Sequence, residues 1–354
     1  MWTWILPIVS LPLAGVALAW PPGTALAVVC AAALIGAVLA SVHHAEVVAH
    51  RVGEPMGTLI LAVSVTVIEA ALIVSMMLAG GPNTSTLPRD TIFSAIMIIC
   101  NGAVGLCVIA GSLKHHEQSF RLEGATSAFA ALIVLATLSL VLPVFTTTVP
   151  GPYFFSRSQL AFAAVSSLAL WAVFVFVQTV RHRDYFLPAE APGDESAHAS
   201  PPSTTQAWTS FGLLVVSLVA VIALAKTLSP TIERAVVDAG LPPSVIGIVI
   251  ALLVLLPETW AAYRAARADR LQTSLNLALG SALASIGLTI PVVAILSVAL
   301  DLPLTLGLSP KDLVLLVLTF AVGSLTLGTG RTNLLQGAVH LLIFAAFLFL
   351  AIVP

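Results

Sequence analysis

The sequence predicts an all-α polytopic membrane protein of about eleven transmembrane helices, an extra N-terminal helix followed by two inverted-topology repeats of five. Three observations carry this reading. The 354 residues are 59% hydrophobic and 8% charged, with a mean hydropathy of +1.07, whereas soluble domains are about 25% charged. Apolar runs of membrane-crossing length recur along the whole chain. Two of them, similarly placed in the two halves, each contain a single carboxylate, Glu69 and Glu258.

A helix needs about 20 mostly apolar residues to cross the hydrocarbon core. Applied from the N-terminus, that length gives spans at 3–20, 25–42, 56–79, 91–112, 125–145, 160–180, 209–228, 244–262, 275–298, 311–327 and 332–352. The first lies in MWTWILPIVSLPLAGVALAW, which lacks the basic start of a signal peptide and is expected to be a retained span. Interior Gly and Pro are acceptable in such helices when neighbours satisfy the freed backbone groups. The polar stretch 181–208, rich in Pro, Ser, Ala and acids, cannot build a core and reads as a flexible linker. The expected divisions are therefore an extra helix at 1–22, a first repeat at 23–180, the linker at 181–208 and a second repeat at 209–354.

Basic residues concentrate in cytoplasmic loops. Nine of the fourteen follow the even-numbered spans, including the cluster RAARADR after span 8, and five lie on the other side. This predicts a multi-pass protein of the cell membrane with a cytoplasmic N-terminus and linker and an external C-terminus. The net charge of -2 is scattered, without a basic block, so no nucleic-acid partner is expected. Cys30, Cys100 and Cys107 lie in apolar runs without CxxC spacing and read as packing residues. No cofactor is implied. The expected partners are the lipid bilayer, inorganic cations and protons, and the sequence is compatible with a homo-oligomer.

Glu69 has apolar neighbours for more than a helical turn on each side, and an acid at such depth is costly and functional by default. With five spans per block, the second block enters the membrane inverted, and its second helix carries Glu258 as the first block's carries Glu69. Matched charged helices in inverted halves point to a substrate site where the repeats meet. Thr66 precedes Glu69 by three residues and shares its helical face. Pro257 has no amide hydrogen, which frees the Leu253 carbonyl as a further oxygen donor beside Glu258.

The next helix of the first block, IMIICNGAVGLCVIAG, places Asn101 beside Gly102; its counterpart, NLALGSALASIGLTIP, offers Gly280, Ser281 and Ser285. Aligning the glycines sets Leu279 opposite Asn101, so Ser281, Ser285 or Asn276 is expected to supply the oxygen there. Calcium takes about 6 to 8 oxygen ligands. Two carboxylates neutralise its charge, and without the ion they repel each other and favour protonation. Competition between cation and protons for one site is the physical basis of antiport.

The stretches VGEPMGTLILAVSVTVIEAALI, DTIFSAIMIICNGAVG and LLPETWAAYRAARADRLQTSLNLALGSALASIGLTIP together resemble the calcium/cation antiporter superfamily, and most of all its cation/proton exchanger (CAX-type) branch. The residues ahead of the two glutamates, SVTVI and LLVLLP, differ from that family's common GNAxE signature. The resemblance implies ten helices in two inverted repeats plus an N-terminal helix, with Glu69 and Glu258 binding the exchanged ion. It implies export of Ca2+ in exchange for protons, with Na+ or K+ as the alternative cation.

An intramembrane enzyme is the competing class, but no His-rich metal motif, aspartate pair or nucleophile motif supports one. The clusters His43, His44, Glu46, His50 and Glu54, and His115, His116 and Glu117, read as solvated loop or interfacial groups. His340 reads as a satisfied packing histidine.

Overall fold

The computed structural model describes residues 2–20, 23–53, 56–79, 84–149, 153–187 and 202–353, without the side chains of residues 56, 58, 59, 62 and 79. Eleven long helices occupy the predicted positions: α1 (Trp2–Ala19), α2 (Thr24–Val52), α3 (Met56–Ala79), α4 (Leu87–His115), α5 (Leu122–Phe145), α6 (Arg157–Arg181), α7 (Thr204–Asp238), α8 (Ser244–Arg267), α9 (Leu271–Ala299), α10 (Pro310–Leu327) and α11 (Leu334–Ile352). Among the described residues, ten are long and apolar enough to cross a membrane; α3 has 24 residues, and within it Val63–Leu78 is the apolar stretch that is fully described. Two short strands, β1 (Gln118–Ser119) and β2 (Arg331–Thr332), pair antiparallel.

Hydropathy underestimates the polar ends of these helices. Helix α7 starts earlier than predicted because Ser203 and Gln206 form a capping box, with Ser203 Oγ accepting from Gln206 N and Gln206 Oε1 from Ser203 N. Ser156 with Gln159 and Asn333 with Gln336 do the same for α6 and α11. Helix α2 outruns its predicted end by ten residues and stops at Gly53, whose φ of 78° suits glycine. His43, His44, Glu46 and His50 therefore lie on a helix, and Glu54 lies outside the described residues.

The chain forms two compact units, each made from segments of both halves of the sequence. The first comprises Met1–Leu87 and Gly193–Val254, and so holds α1, α2, α3, α7 and the first turns of α8. Helix α2 packs against α7, α1 and α3, and α7 also packs on α1 and α3. Buried Ala14, Ala17, Cys30 and Ala37 let these backbones approach, and Leu34, Ile68, Leu72 and Leu224 fill the space between them. Pro7 leaves the Thr3 carbonyl without its helical donor, and His44 Nε2 replaces it at 2.9 Å. His44 is thus a buried structural group rather than a solvated one.

The second unit comprises Pro88–Pro192 and Leu255–Pro354. Its two most buried long helices are α4 and α9; α9 packs against α4, α5 and α6, α11 packs on α4, and α10 packs on α5 and α11. The start of the predicted linker also belongs here. Arg183–Phe186 forms one 3-10 turn, and Phe186 is buried edge-on against Phe174 at 5.9 Å. An aromatic residue inside a polar stretch finds apolar cover here. Gly124 admits it, since a Cβ there would collide with the Tyr185 carbonyl oxygen. Residues 188–201 of the linker lie outside the described residues.

Candidate functional site

Glu69 is buried on α3, in the first unit, and Thr66 is buried beside it on the same helical face. Ile68 and Leu72, around them on the helix, belong to the apolar core of that unit.

Glu258 belongs to the second unit. The C-terminal end of α8 is fixed there by side chains from the end of α4 and the segment that follows it. Gln118 Nε2 donates to the Ala266 carbonyl at 2.9 Å and to Asp269 Oδ1 at 2.8 Å. Lys114 Nζ and His115 Nε2 donate to the Arg267 carbonyl at 3.0 and 3.2 Å. These bonds cap carbonyls in the last turn of the helix, and a lysine also complements the negative end of its dipole. His115, half-exposed at the end of α4, adds this contact to the interfacial position expected of it.

Two turns before that anchored end, Glu258 lines a narrow cleft with Thr259, Ser281, Leu255, Ala262, Ala278, Ile99 and Ala103. The cleft encloses about 10 Å³, the room of a single water or ion. Three oxygen-bearing residues, Glu258, Thr259 and Ser281, thus line a small, largely apolar space. Such oxygens suit a hard cation. Ser285 follows Ser281 by one helical turn and is buried, but it is not among the residues lining the cleft.

Asn101 takes a different place. It lies in a π-helical segment of α4, Ile98–Ala103, and is fully buried. Its Nδ2 donates to Thr319 Oγ1 at 2.9 Å, and its Oδ1 faces His340 Nδ1 at 3.1 Å. Ile99 and Ala103, on either side of it, line the cleft instead. His340 is satisfied as predicted, since its Nε2 meets Thr326 Oγ1 at 3.1 Å.

Asn276, the other candidate on α9, donates to the Phe186 carbonyl and accepts from Gln272 Nε2 at 2.9 Å. Sequence reasoning missed Thr259, although a hydroxyl beside Glu258 in so apolar a helix was a readable signal. It also missed Thr319, which nothing in the sequence sets apart from other intramembrane threonines.

Apolar membrane helices that each carry one acid, a buried Glu69 and a half-buried Glu258 in a small cleft with hydroxyl-bearing neighbours, suit a membrane ion carrier. The model of the sodium/calcium exchanger protein family matches residues 22–180 and 209–353, and the chain belongs to that family of ion exchangers. It is 50% identical to a putative ionic transporter, y4hA, of Sinorhizobium fredii, over all of this chain and 96% of that one. It is 34% identical to the sodium-potassium/proton antiporter ChaA of Escherichia coli, over 97% of this chain and 93% of that one. The fold is also that of YfkE, a Ca2+/H+ antiporter, with a TM-score of 0.75 at 18% identity over 99% of this chain and all of the other.

Proposed function

We propose that the protein is a cation/proton antiporter of the cell membrane, in which Glu69 and Glu258 bind the cation and the protons in turn as the carrier alternates between its two faces. The observation that carries this is the cleft at Glu258, where a carboxylate shares an ion-sized space with Thr259 and Ser281 inside an exchanger fold. Burial disfavours the charged carboxylate unless a cation or a proton accompanies it. Loading one ion therefore displaces the other.

Ca2+ is the first cation proposed, because two carboxylates in the chain's membrane core match a divalent charge and oxygen donors suit a hard ion. Na+ or K+ is the second, supported by the 34% identity to a sodium-potassium/proton antiporter over nearly the whole chain. The cytoplasmic N-terminus, external C-terminus and inverted repeats of 23–180 and 209–354 belong to the same proposal.

The test uses proteoliposomes with an imposed pH gradient, to which Ca2+, Na+ and K+ are added one at a time. Dissipation by Ca2+ supports the first reading and dissipation by Na+ or K+ alone the second. No response to any of the three would refute antiport.

A further inference from the structure

Helix α4 changes register where the π-helical segment Ile98–Ala103 interrupts it. The Val104 N–H bonds to Ile99 O and Asn101 O. The Cys100 carbonyl therefore loses the donor that an α-helix supplies four residues later. Such π turns gather at functional sites, and of the three among the described residues, the others being Thr137–Val141 and Val177–Arg181, this is the fully buried one. This one gives α4 two different faces: Ile99 and Ala103 line the Glu258 cleft, while Asn101 is directed to α10 and α11.

The bonds on that second side run in one direction only. Thr319 Oγ1 lies 2.7 Å from the Leu315 carbonyl, which can only accept, so the hydroxyl donates there and accepts from Asn101 Nδ2. Asn101 Oδ1 is then the atom facing His340, and an amide oxygen accepts, so His340 Nδ1 carries the proton. His340 Nε2 is left as an acceptor for the Thr326 hydroxyl. The chain from Thr326 through His340 and Asn101 to Thr319 is complete and fixes both the amide orientation and the histidine tautomer.

Helix packing brings the ring to this place. A Cβ on Gly105 would sit 3.0 Å from both His340 Cβ and Leu341 N, and one on Gly337 would sit 2.9 Å from Ile109 N. Only at glycine can α4 and α11 come this close, which is the small-residue contact familiar between membrane helices.

We infer that His340 and Thr319 are positioning residues, which clamp Asn101, hold the π turn of α4 and so set the wall of the Glu258 cleft and the cation that fits it. Neither residue lines the cleft; Thr319 acts through Asn101, and His340 acts through Asn101 and through the Cys100 backbone of the π turn. The inference deepens the antiporter reading, on which its transport readout rests, while its spectroscopic readout does not.

The full-length protein, 15N-labelled at histidine and reconstituted in micelles, should show His340 as a neutral ring protonated at Nδ1, its signal assigned by its loss in His340→Gln. A ring protonated at Nε2, or at both nitrogens, would overturn the clamp. In Thr319→Val the backbone amide signals of Ile99 and Ala103 should shift; unchanged signals would show that the clamp does not reach the cleft wall.

In proteoliposomes Thr319→Val should raise the KM for the transported cation about threefold or more, the scale of one lost hydrogen bond, and change the ratio of Ca2+ to Na+ rates. His340→Ala should do more than His340→Gln, whose amide still donates to Asn101. A fall in thermal stability with KM and cation preference unchanged would reduce both residues to packing. Absence of transport in the unaltered protein would refute the antiporter reading and leave the two spectroscopic outcomes to judge the clamp.

Discussion

Ser281 of α9 and Glu258 of α8 line one cleft of about 10 Å³, with Thr259 as the third oxygen-bearing side chain. In so small a space every oxygen matters and every added methylene is felt. Ser281→Ala should raise the KM for the cation about threefold to tenfold while leaving folding intact, because one polar contact is worth about 1 kcal/mol. Ser281→Leu should abolish transport by filling the cleft. Initial exchange rates against cation concentration measure both, and an unchanged KM in Ser281→Ala would remove Ser281 from the site.

Asn276 lies on the same helix one turn earlier but is held by Phe186 and Gln272. Its removal should therefore loosen the 3-10 turn at Arg183–Phe186 without altering ion affinity. Faster amide exchange at residues 183–187 in Asn276→Ala, with KM unchanged, is the expected result. A raised KM would return Asn276 to the list of ion ligands.

The His44 bond to Thr3 predicts a particular coupling. His44→Ala leaves the Thr3 carbonyl buried without a donor, at a cost of about 1–3 kcal/mol. Pro7→Ala restores a helical N–H four residues after Thr3. The His44→Ala cost should accordingly shrink in the Pro7→Ala background. Unfolding of the micelle-bound protein measures the four variants of this cycle, and equal costs in both backgrounds would contradict the proposed role.

At the α4–α11 contact, Gly337→Ala would place a methyl group 2.9 Å from the backbone nitrogen of Ile109, which cannot move aside as a flexible side chain can. Overpacking of this kind costs about 1–3 kcal/mol. Lower thermal stability is expected, where Gly15→Ala, with open space around its Cβ, should be neutral.

The helices were legible because span length and apolar content are set by the bilayer, and α1 to α11 fall where that rule puts them. The acids were legible because a lone carboxylate stands out in such composition. Less readable was how the chain is gathered. The sequence divides at its polar linker, whereas the compact units join α1–α3 with α7, and α4–α6 with α9–α11. Helices are packed by faces and small residues, which hydropathy does not report.

The π turn escaped notice for a related reason: nothing in IICNGA marks a register change. Its partners, Thr319 and His340, are 218 and 239 residues away in the chain. His44 was misread because its role depends on a proline in another helix.

The central claim is coupled exchange, and reciprocity tests it most directly. Proteoliposomes with equal internal and external pH should be given an outward gradient of Ca2+, or of Na+ or K+, with the membrane potential clamped. The account predicts that cation efflux drives protons inward against their own rising gradient, and that Glu69→Gln and Glu258→Gln each abolish this in a folded protein. Cation flux without proton movement, as in a channel, or wild-type exchange in either variant would contradict it.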